Sequence, residues 1–226
     1  MRFLLVFLLS TNAIVLAYRF IPVYYTPLML IRSIQSTSNG GHFKLKHNWR
    51  SLNEINNYAL LAVICGEDQN FLSHHGIDPE AINNAFQFNG KHKRVHGAST
   101  ITQQTAKNVF LWPGRTWLRK GLEAYFALII ELFWGKERIL EVYLNVIELG
   151  DGIFGIDAAA ETYFHVAARQ LNKEQAAKLA VILPNPLRFK INNPTPYMLN
   201  RKTWIELQMN NWGNTFDFSP KKMNQK

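Results

Sequence analysis

Hydrophobic residues recur with the spacing of one helix face through most of the chain. In residues 136–149 this spacing forms a single apolar stripe, made of Ile139, Leu140, Tyr143, Leu144 and Ile147. A second stripe of the same kind covers residues 156–164. Alternating patterns typical of strands are scarce, and the best candidate is the short segment 43–46. The pattern therefore predicts a mainly α-helical fold.

Polar residues beside these apolar segments predict where helices begin. Ser51 and Glu54 have the spacing of a capping box, so we expect a helix from there to about Gly66. Asp78 followed by Pro79 predicts another start, because proline is favoured at the first position of a helix.

The first apolar segment of the chain predicts a membrane anchor. Spanning a bilayer takes about 20 residues, and residues 3–25 reach that length if Arg19 snorkels to the interface. A cleaved signal peptide is the alternative. Residues 13–17 lack a clean small-x-small cleavage site followed by a polar start, which favours an uncleaved anchor.

Composition along the chain predicts an anchor, a linker, a main domain and a tail. The 226 residues suffice for one domain with a short appendage. The four predicted parts are an anchor with its juxtamembrane segment at 1–35, a linker and domain entry at 36–50, the main domain at 51–200, and a C-terminal helix with a basic tail at 201–226.

The net charge of +9 favours anionic partners. Charge alone places nucleic acid first, ahead of an anionic membrane surface or a phosphorylated substrate. The basic residues form no long blocks, however, and the N-terminal apolar segment shifts the balance toward a membrane. A single cysteine, Cys65, excludes a disulfide framework and a cysteine-rich zinc site, and the histidines lack the HExxH pattern of a zinc protease.

Glu67 is the first candidate for chemistry. It follows Val63 and Ala59 by one and two helical turns, so its carboxylate is predicted at the end of an apolar helix face. Burial there should raise the pKa of Glu67, which suits proton transfer from a sugar hydroxyl. Spacing alone favours the plainer alternative, a glutamate at a helix end in a polar loop.

Two further segments carry candidate binding residues. Ser99 is predicted to cap a helix on which Gln103, Gln104 and Lys107 share a face, a row of donors that fits an oligosaccharide or a phosphate. A solvated polar face explains this row equally well.

In the second segment, Arg119 and Lys120 precede Glu123 by four and three residues. The cluster fits a pyrophosphate with a divalent cation, or a surface salt bridge of little worth. Apolar and aromatic residues interleaved with it suit a surface that dips into a lipid interface.

Taken together, these segments resemble the peptidoglycan glycosyltransferase family (glycosyltransferase family 51), and most closely its monofunctional biosynthetic members. The resemblance runs from about residue 26 to residue 194. It is carried in the family's order by EDQNFLSHHGID, GASTITQQTAKN, RKGLEAYF, KERILEVYLN, GIDAAAETYF and LAVILPNP. One departure is His165, where many members carry glycine.

The resemblance implies a lysozyme-like helical lobe with a smaller membrane-associated jaw lobe, preceded by one transmembrane helix. It implies polymerisation of lipid II into β-1,4-linked glycan, with inversion and release of undecaprenyl pyrophosphate. Glu67 is then the general base, and Glu123 a second catalytic carboxylate that orients the site or a divalent cation such as Mg²⁺. The implied substrate-binding residues are Phe71, Ser99, Gln103, Gln104, Lys107, Arg115 and Arg119.

The resemblance also implies where the protein acts and with what. Its partners would be lipid II, the growing glycan chain, the membrane, and cell-wall synthesis or division proteins, with no nucleic acid. The implied location is the cytoplasmic (inner) membrane, single-pass, with the catalytic domain on the periplasmic side. A lytic glycosidase is the nearest alternative, and a catalytically idle module that binds lipid-linked intermediates is another.

Overall fold

The computed structural model describes residues 2–38, 42–91, 97–114, 116–213 and 215–218. Within these ranges the α-helices are α1 (Arg2–Tyr18), α2 (Pro27–Ser38), α3 (Asn57–Glu67), α4 (Pro79–Lys91), α5 (Ile101–Phe110), α6 (Trp117–Phe133), α7 (Lys136–Val146), α8 (Ile156–Phe164), α9 (Lys173–Ile182) and α10 (Pro196–Asn211). The strands are β1 (Lys46–His47), β2 (Glu148–Gly150) and β3 (Ile153–Phe154). The mainly α-helical fold is confirmed, and it is consistent with a lysozyme-like lobe.

Helix α3 lies at the centre of the core and is buried over most of its length. It packs against α9 and α10, while α5 packs against α6 and α7. The predicted helix from Ser51 to Gly66 is interrupted. Ser51 and Glu54 close a capping box around a single 3₁₀ turn (Leu52–Glu54), and Ile55 is extended because its side chain enters the core. Asn56 then caps α3 through a hydrogen bond from the backbone of Tyr58.

A small sheet follows α7, with strand order β1–β3–β2. β1 pairs parallel to β3, β2 pairs antiparallel to it, and a register shift between Glu148 and Gly150 interrupts the β2–β3 ladder. The predicted strand 43–46 overlaps β1 only at Lys46. The predicted helix 136–149 ends three residues early, at Val146, because Ile147 is extended and its carbonyl accepts from the Gly155 amide at 2.8 Å.

The predicted transmembrane helix over residues 3–25 is not found. Within the described part of the chain, no helix is both long and apolar enough to cross a membrane. α1 ends at Tyr18, whose carbonyl accepts a hydrogen bond from Arg138 at 2.9 Å, and it packs along α6. The Thr11 and Tyr125 hydroxyls lie 2.8 Å apart, and the Trp134 indole donates to the Val15 carbonyl at 2.8 Å.

Candidate active site

Two cavities lie on the two sides of the contact between the end of α3 and α5. The main cavity, about 470 Å³, lies between α2, α5, α7, β2 and residues 183–187. Its polar lining comprises Arg32, Gln104, Lys107, Asn108, Arg119, Tyr143, Glu148 and Asn185. The second cavity, about 220 Å³, is lined by Glu67, Ser99 and Thr100 among others.

Gln104 lines the main cavity, Glu67 lines the second cavity, and a hydrogen bond joins the two side chains. The Gln104 amide nitrogen donates to Glu67 Oε2 at 2.7 Å, and its amide oxygen accepts from the buried Tyr143 hydroxyl at 3.1 Å. These two bonds fix which end of the amide faces the carboxylate. Burial raises the pKa of Glu67, opposed by the Gln104 hydrogen bond and by the charges of Arg201 and Lys107. The predicted direction of this pKa shift is confirmed.

Asp68, the next residue, ties the end of α3 to the start of α5. Its buried carboxylate lies 2.9 Å from His74 Nε2 and accepts from the backbone amide of Ile101 at 2.9 Å. Arg201 on α10 adds a hydrogen bond to the Gly66 carbonyl at 2.7 Å. The backbone on both sides of Glu67 is therefore held by contacts with distant elements, which places its carboxylate against α5.

The cationic end of the main cavity combines Lys107 with Arg119. Burial lowers the pKa of Lys107, and the charge of Glu123 opposes that shift. Arg119 Nη1 donates to one oxygen of Glu123 at 3.2 Å, while Lys120 Nζ donates to the other at 2.5 Å. Glu123 is only 3% exposed, so the predicted cluster exists and its carboxylate is buried.

Glu123 does not fit a metal site in this arrangement. Each of its oxygens contacts a cation, whereas Mg²⁺ prefers several free oxygen ligands. The described residues contain no group of three or more His, Cys, Asp or Glu side chains that could hold a metal ion. The Mg²⁺ requirement itself stays a prediction, and no step below depends on it.

The remaining predicted residues take different positions. Thr100, not Ser99, caps α5, and Ser99 Oγ accepts from Lys120 at 3.3 Å. Gln103 closes the capping box by accepting from the Thr100 amide at 3.1 Å, and Phe71 is fully buried. Gln103 thus supports the start of α5, and Phe71 packs in the core. Direct contact of these two residues with substrate stays a prediction. Arg115 lies outside the described residues.

Sequence reasoning missed Arg32, Tyr143 and Glu148, which also line the main cavity. In the sequence Tyr143 belongs to an apolar helix stripe, which predicts burial. A fully buried tyrosine needs a partner for its hydroxyl, and this is the signal that points to a polar contact. Glu148 directly follows the apolar Ile147, which is the only signal that its carboxylate is buried. Nothing local in the sequence pairs Glu148 with Arg32, which lies far away along the chain.

Comparison with known proteins places this site in a family. The model of the family described as Transglycosylase matches residues 33–210. The chain belongs to this family. The transglycosylase is thus a glycosyltransferase enzyme, and the resemblance seen in its motifs is confirmed.

Several curated relatives are similar over most of their length. A biosynthetic peptidoglycan transglycosylase of Bdellovibrio bacteriovorus is 52% identical over 201 residues, covering 89% of this chain and 80% of the relative. Proteins of the same name from Bacteroides thetaiotaomicron and Pseudomonas entomophila are 50% and 49% identical. These alignments cover 92% and 94% of this chain, and 84% and 90% of the two relatives.

Proposed function

We propose that this transglycosylase polymerises peptidoglycan glycan strands from lipid II during cell-wall synthesis. One observation carries the proposal. A carboxylate with a raised pKa, Glu67, lines the smaller cavity and is hydrogen-bonded to Gln104, which lines the larger cavity together with the half-buried Lys107 and the buried Arg119. Such a site can activate a hydroxyl on one side and stabilise a departing anion on the other. The names of the relatives indicate that the polymer is peptidoglycan.

In the proposed reaction, the Glu67 carboxylate takes the proton of the 4-hydroxyl of the acceptor N-acetylglucosamine. The oxygen forms a bond to the anomeric carbon of the donor N-acetylmuramic acid, while the bond from that carbon to pyrophosphate breaks. Attack from the face opposite the leaving group converts the α-linked donor into a β-1,4 linkage. Undecaprenyl pyrophosphate leaves with the electron pair, and the proton stays on Glu67 until solvent removes it.

The other residues of the site bind and orient in this reaction. Lys107 and Arg119 stabilise the charge of the departing pyrophosphate, and Arg115 is proposed to join them. Gln104 holds the Glu67 carboxylate through its hydrogen bond. Glu123 holds Arg119 and Lys120 in place. A divalent ion such as Mg²⁺ would then reach the site with the pyrophosphate of the substrate.

A lytic glycosidase would also use a carboxylic acid, and it is the second candidate. Cleavage of finished glycan produces no pyrophosphate, so a glycosidase would have no use for the cations Lys107 and Arg119 that line the main cavity. This charge pattern favours synthesis. It also disfavours an idle binding module, because a module needs no carboxylate with a raised pKa beside the ligand.

We further propose that the enzyme works at the outer surface of the cytoplasmic membrane. α1 and α6 pack together and expose large apolar side chains, among them Phe3 at 93%, Trp117 at 92%, Leu118 at 71% and Leu132 at 76%. Exposed apolar surface of this kind marks a membrane or protein contact. Because the proposed substrate carries a lipid tail, a membrane is favoured over a protein as the contact. Cell-wall synthesis or division proteins are proposed as further partners.

The test is incubation of the detergent-solubilised protein with labelled lipid II, with Mg²⁺ and in a parallel arm with EDTA. We expect wild type to form a polymer that lysozyme digests, and Glu67→Gln to lose at least ~100-fold in rate, as expected for removal of a general base. Glu80→Gln, an exposed acid in the first turn of α4, is the matched control and should keep the wild-type rate. Polymer from Glu67→Gln at the wild-type rate would remove the general-base assignment.

A further inference from the structure

Glu148 is a buried carboxylate in the main cavity that the reaction described above does not use. It begins β2, where the register shift against β3 interrupts the ladder. Its side chain is only 9% exposed and lines the cavity together with Lys107 and Gln104. Bulges of this kind often re-aim a side chain next to an active site.

The two oxygens of Glu148 have different surroundings. Oε2 lies 3.3 Å from Arg32 Nε, on α2. Oε1 is buried and has no hydrogen-bond partner among the residues that the structure describes, and Arg32 Nε likewise lacks one of good geometry. An unsatisfied buried polar atom costs free energy, so it is rare in native proteins and calls for an explanation. A rotation of the carboxylate toward the cavity would let a ligand donate a hydrogen bond to Oε1, and this bond would remove that cost.

The charge of the main cavity restricts what this ligand group is. Arg32, Lys107 and Arg119 are cationic, and Glu148 is the one carboxylate among the described residues that line the cavity. The cations suit the pyrophosphate of a lipid-linked sugar. A carboxylate repels pyrophosphate, and it can instead accept a hydrogen bond from a neutral O–H or N–H group.

We propose that Glu148 is a substrate-binding residue whose Oε1 accepts a hydrogen bond from a hydroxyl or acetamido N–H of the saccharide. Arg32 orients the carboxylate through Oε2, so α2 takes part in sugar recognition. This inference rests on the proposed function, because it takes the lipid-linked disaccharide as substrate. It divides the main cavity into a cationic part for pyrophosphate and a Glu148 part for the sugar.

The kinetic test compares Glu148→Ala and Glu148→Gln with wild type in the lipid II assay. A hydrogen bond to a charged group contributes enough that its loss should raise KM ~10-fold to 100-fold in Glu148→Ala, with kcat nearly unchanged. Glu148→Gln keeps an acceptor oxygen without the charge, so its rise in KM should be smaller. Asp151→Asn is the matched control, because Asp151 lies in the turn after β2 and its carboxylate is 56% exposed, paired with Lys44.

A second readout separates sugar binding from a purely structural role. Inorganic pyrophosphate serves as a competitive probe, and both Glu148 variants should bind it as tightly as wild type or more tightly, since a repelling charge is lost. Weaker binding of pyrophosphate together with a raised KM would mean that Glu148 maintains the shape of the cavity, and would overturn the proposal. An unchanged KM in Glu148→Ala would overturn it as well.

Binding without turnover makes the result independent of catalysis. The dissociation constant of labelled lipid II is measured for Glu67→Gln and for Glu67→Gln combined with Glu148→Ala, and the double variant should bind at least ~10-fold more weakly. If wild type forms no polymer, the proposed function fails. If wild type forms polymer and the two dissociation constants agree, only the role of Glu148 fails.

Discussion

At the scale of single residues, burial moves the two catalytic charges toward their neutral forms. The pKa of Glu67 is raised and that of Lys107 is lowered, in both cases chiefly because the groups lose contact with water. A bound pyrophosphate would reverse the shift at Lys107, because a nearby anion favours the ammonium form. The site is thus suited to a substrate that brings its own negative charge.

The pH dependence of polymerisation follows from the raised pKa of Glu67. A general base must be ionised to accept a proton, so the rate should fall as the pH drops through this pKa. Because the pKa is raised, that fall should have its midpoint above the ordinary glutamate value of 4.5. The measurement is kcat/KM against pH, which reports the pKa of the free enzyme, with folding monitored by circular dichroism at each pH. A midpoint at or below the ordinary value would contradict the prediction.

At the scale of secondary-structure elements, residues with positive φ stand at both ends of α8. Gly155 precedes α8 with φ of +82°, and a Cβ there would lie 2.7 Å from the Asn145 carbonyl oxygen. α8 ends at His165 with φ of +58°, in the left-handed region that favours glycine. Glycine would adopt this conformation without strain, while histidine is tolerated there at a modest cost.

Gly155→Ala should destabilise the fold by about 2 kcal/mol or more, because the new Cβ is both strained and in collision with backbone. Gly121→Ala is the control, and it should change stability in the opposite direction. Gly121 lies inside α6 with open space around it, so alanine should stabilise the protein by about 0.5–1 kcal/mol through its higher helix propensity. The measurement is the free energy of unfolding by denaturant, and equal effects of the two substitutions would refute this account of Gly155.

At the scale of the whole molecule, the apolar surface of α1 and α6 lies outside the core. α1 is attached to α6 and α7 by specific hydrogen bonds, including those of Tyr125, Trp134 and Arg138. Its outer face remains exposed and apolar. This surface is the feature on which the proposed membrane contact rests.

The double substitution Leu118→Glu and Leu132→Glu should weaken binding to vesicles that contain anionic lipid. Two charges would enter the apolar part of the interface, and each buried apolar side chain lost removes about 1.5–3 kcal/mol. Leu207→Glu, on α10 at 54% exposure, is the control and should bind as wild type does. Vesicle flotation measures the bound fraction, and equal flotation of all three proteins would argue against this surface as the contact.

Local patterns in the sequence are enough to predict the helical class and the local clusters. Helical periodicity is a local property, and so is the i, i+3 and i+4 spacing that joins Arg119 and Lys120 to Glu123. The position of Glu67 at the end of an apolar helix was also readable, together with the direction of its pKa shift. The family motifs added the chemistry, which periodicity does not contain.

Which distant residues meet depends on how the elements pack in three dimensions. The contacts of Gln104 with Glu67 and of Arg32 with Glu148 join positions that no local pattern relates. It also decided that Thr100 caps α5 instead of Ser99, since either hydroxyl suits the cap by type. The apolar N-terminal segment shows the same limit. A transmembrane helix and a helix docked on α6 need similar apolar composition. The hydrogen bonds to the Tyr18 carbonyl at the end of α1 both come from Arg138, 120 residues further along the chain.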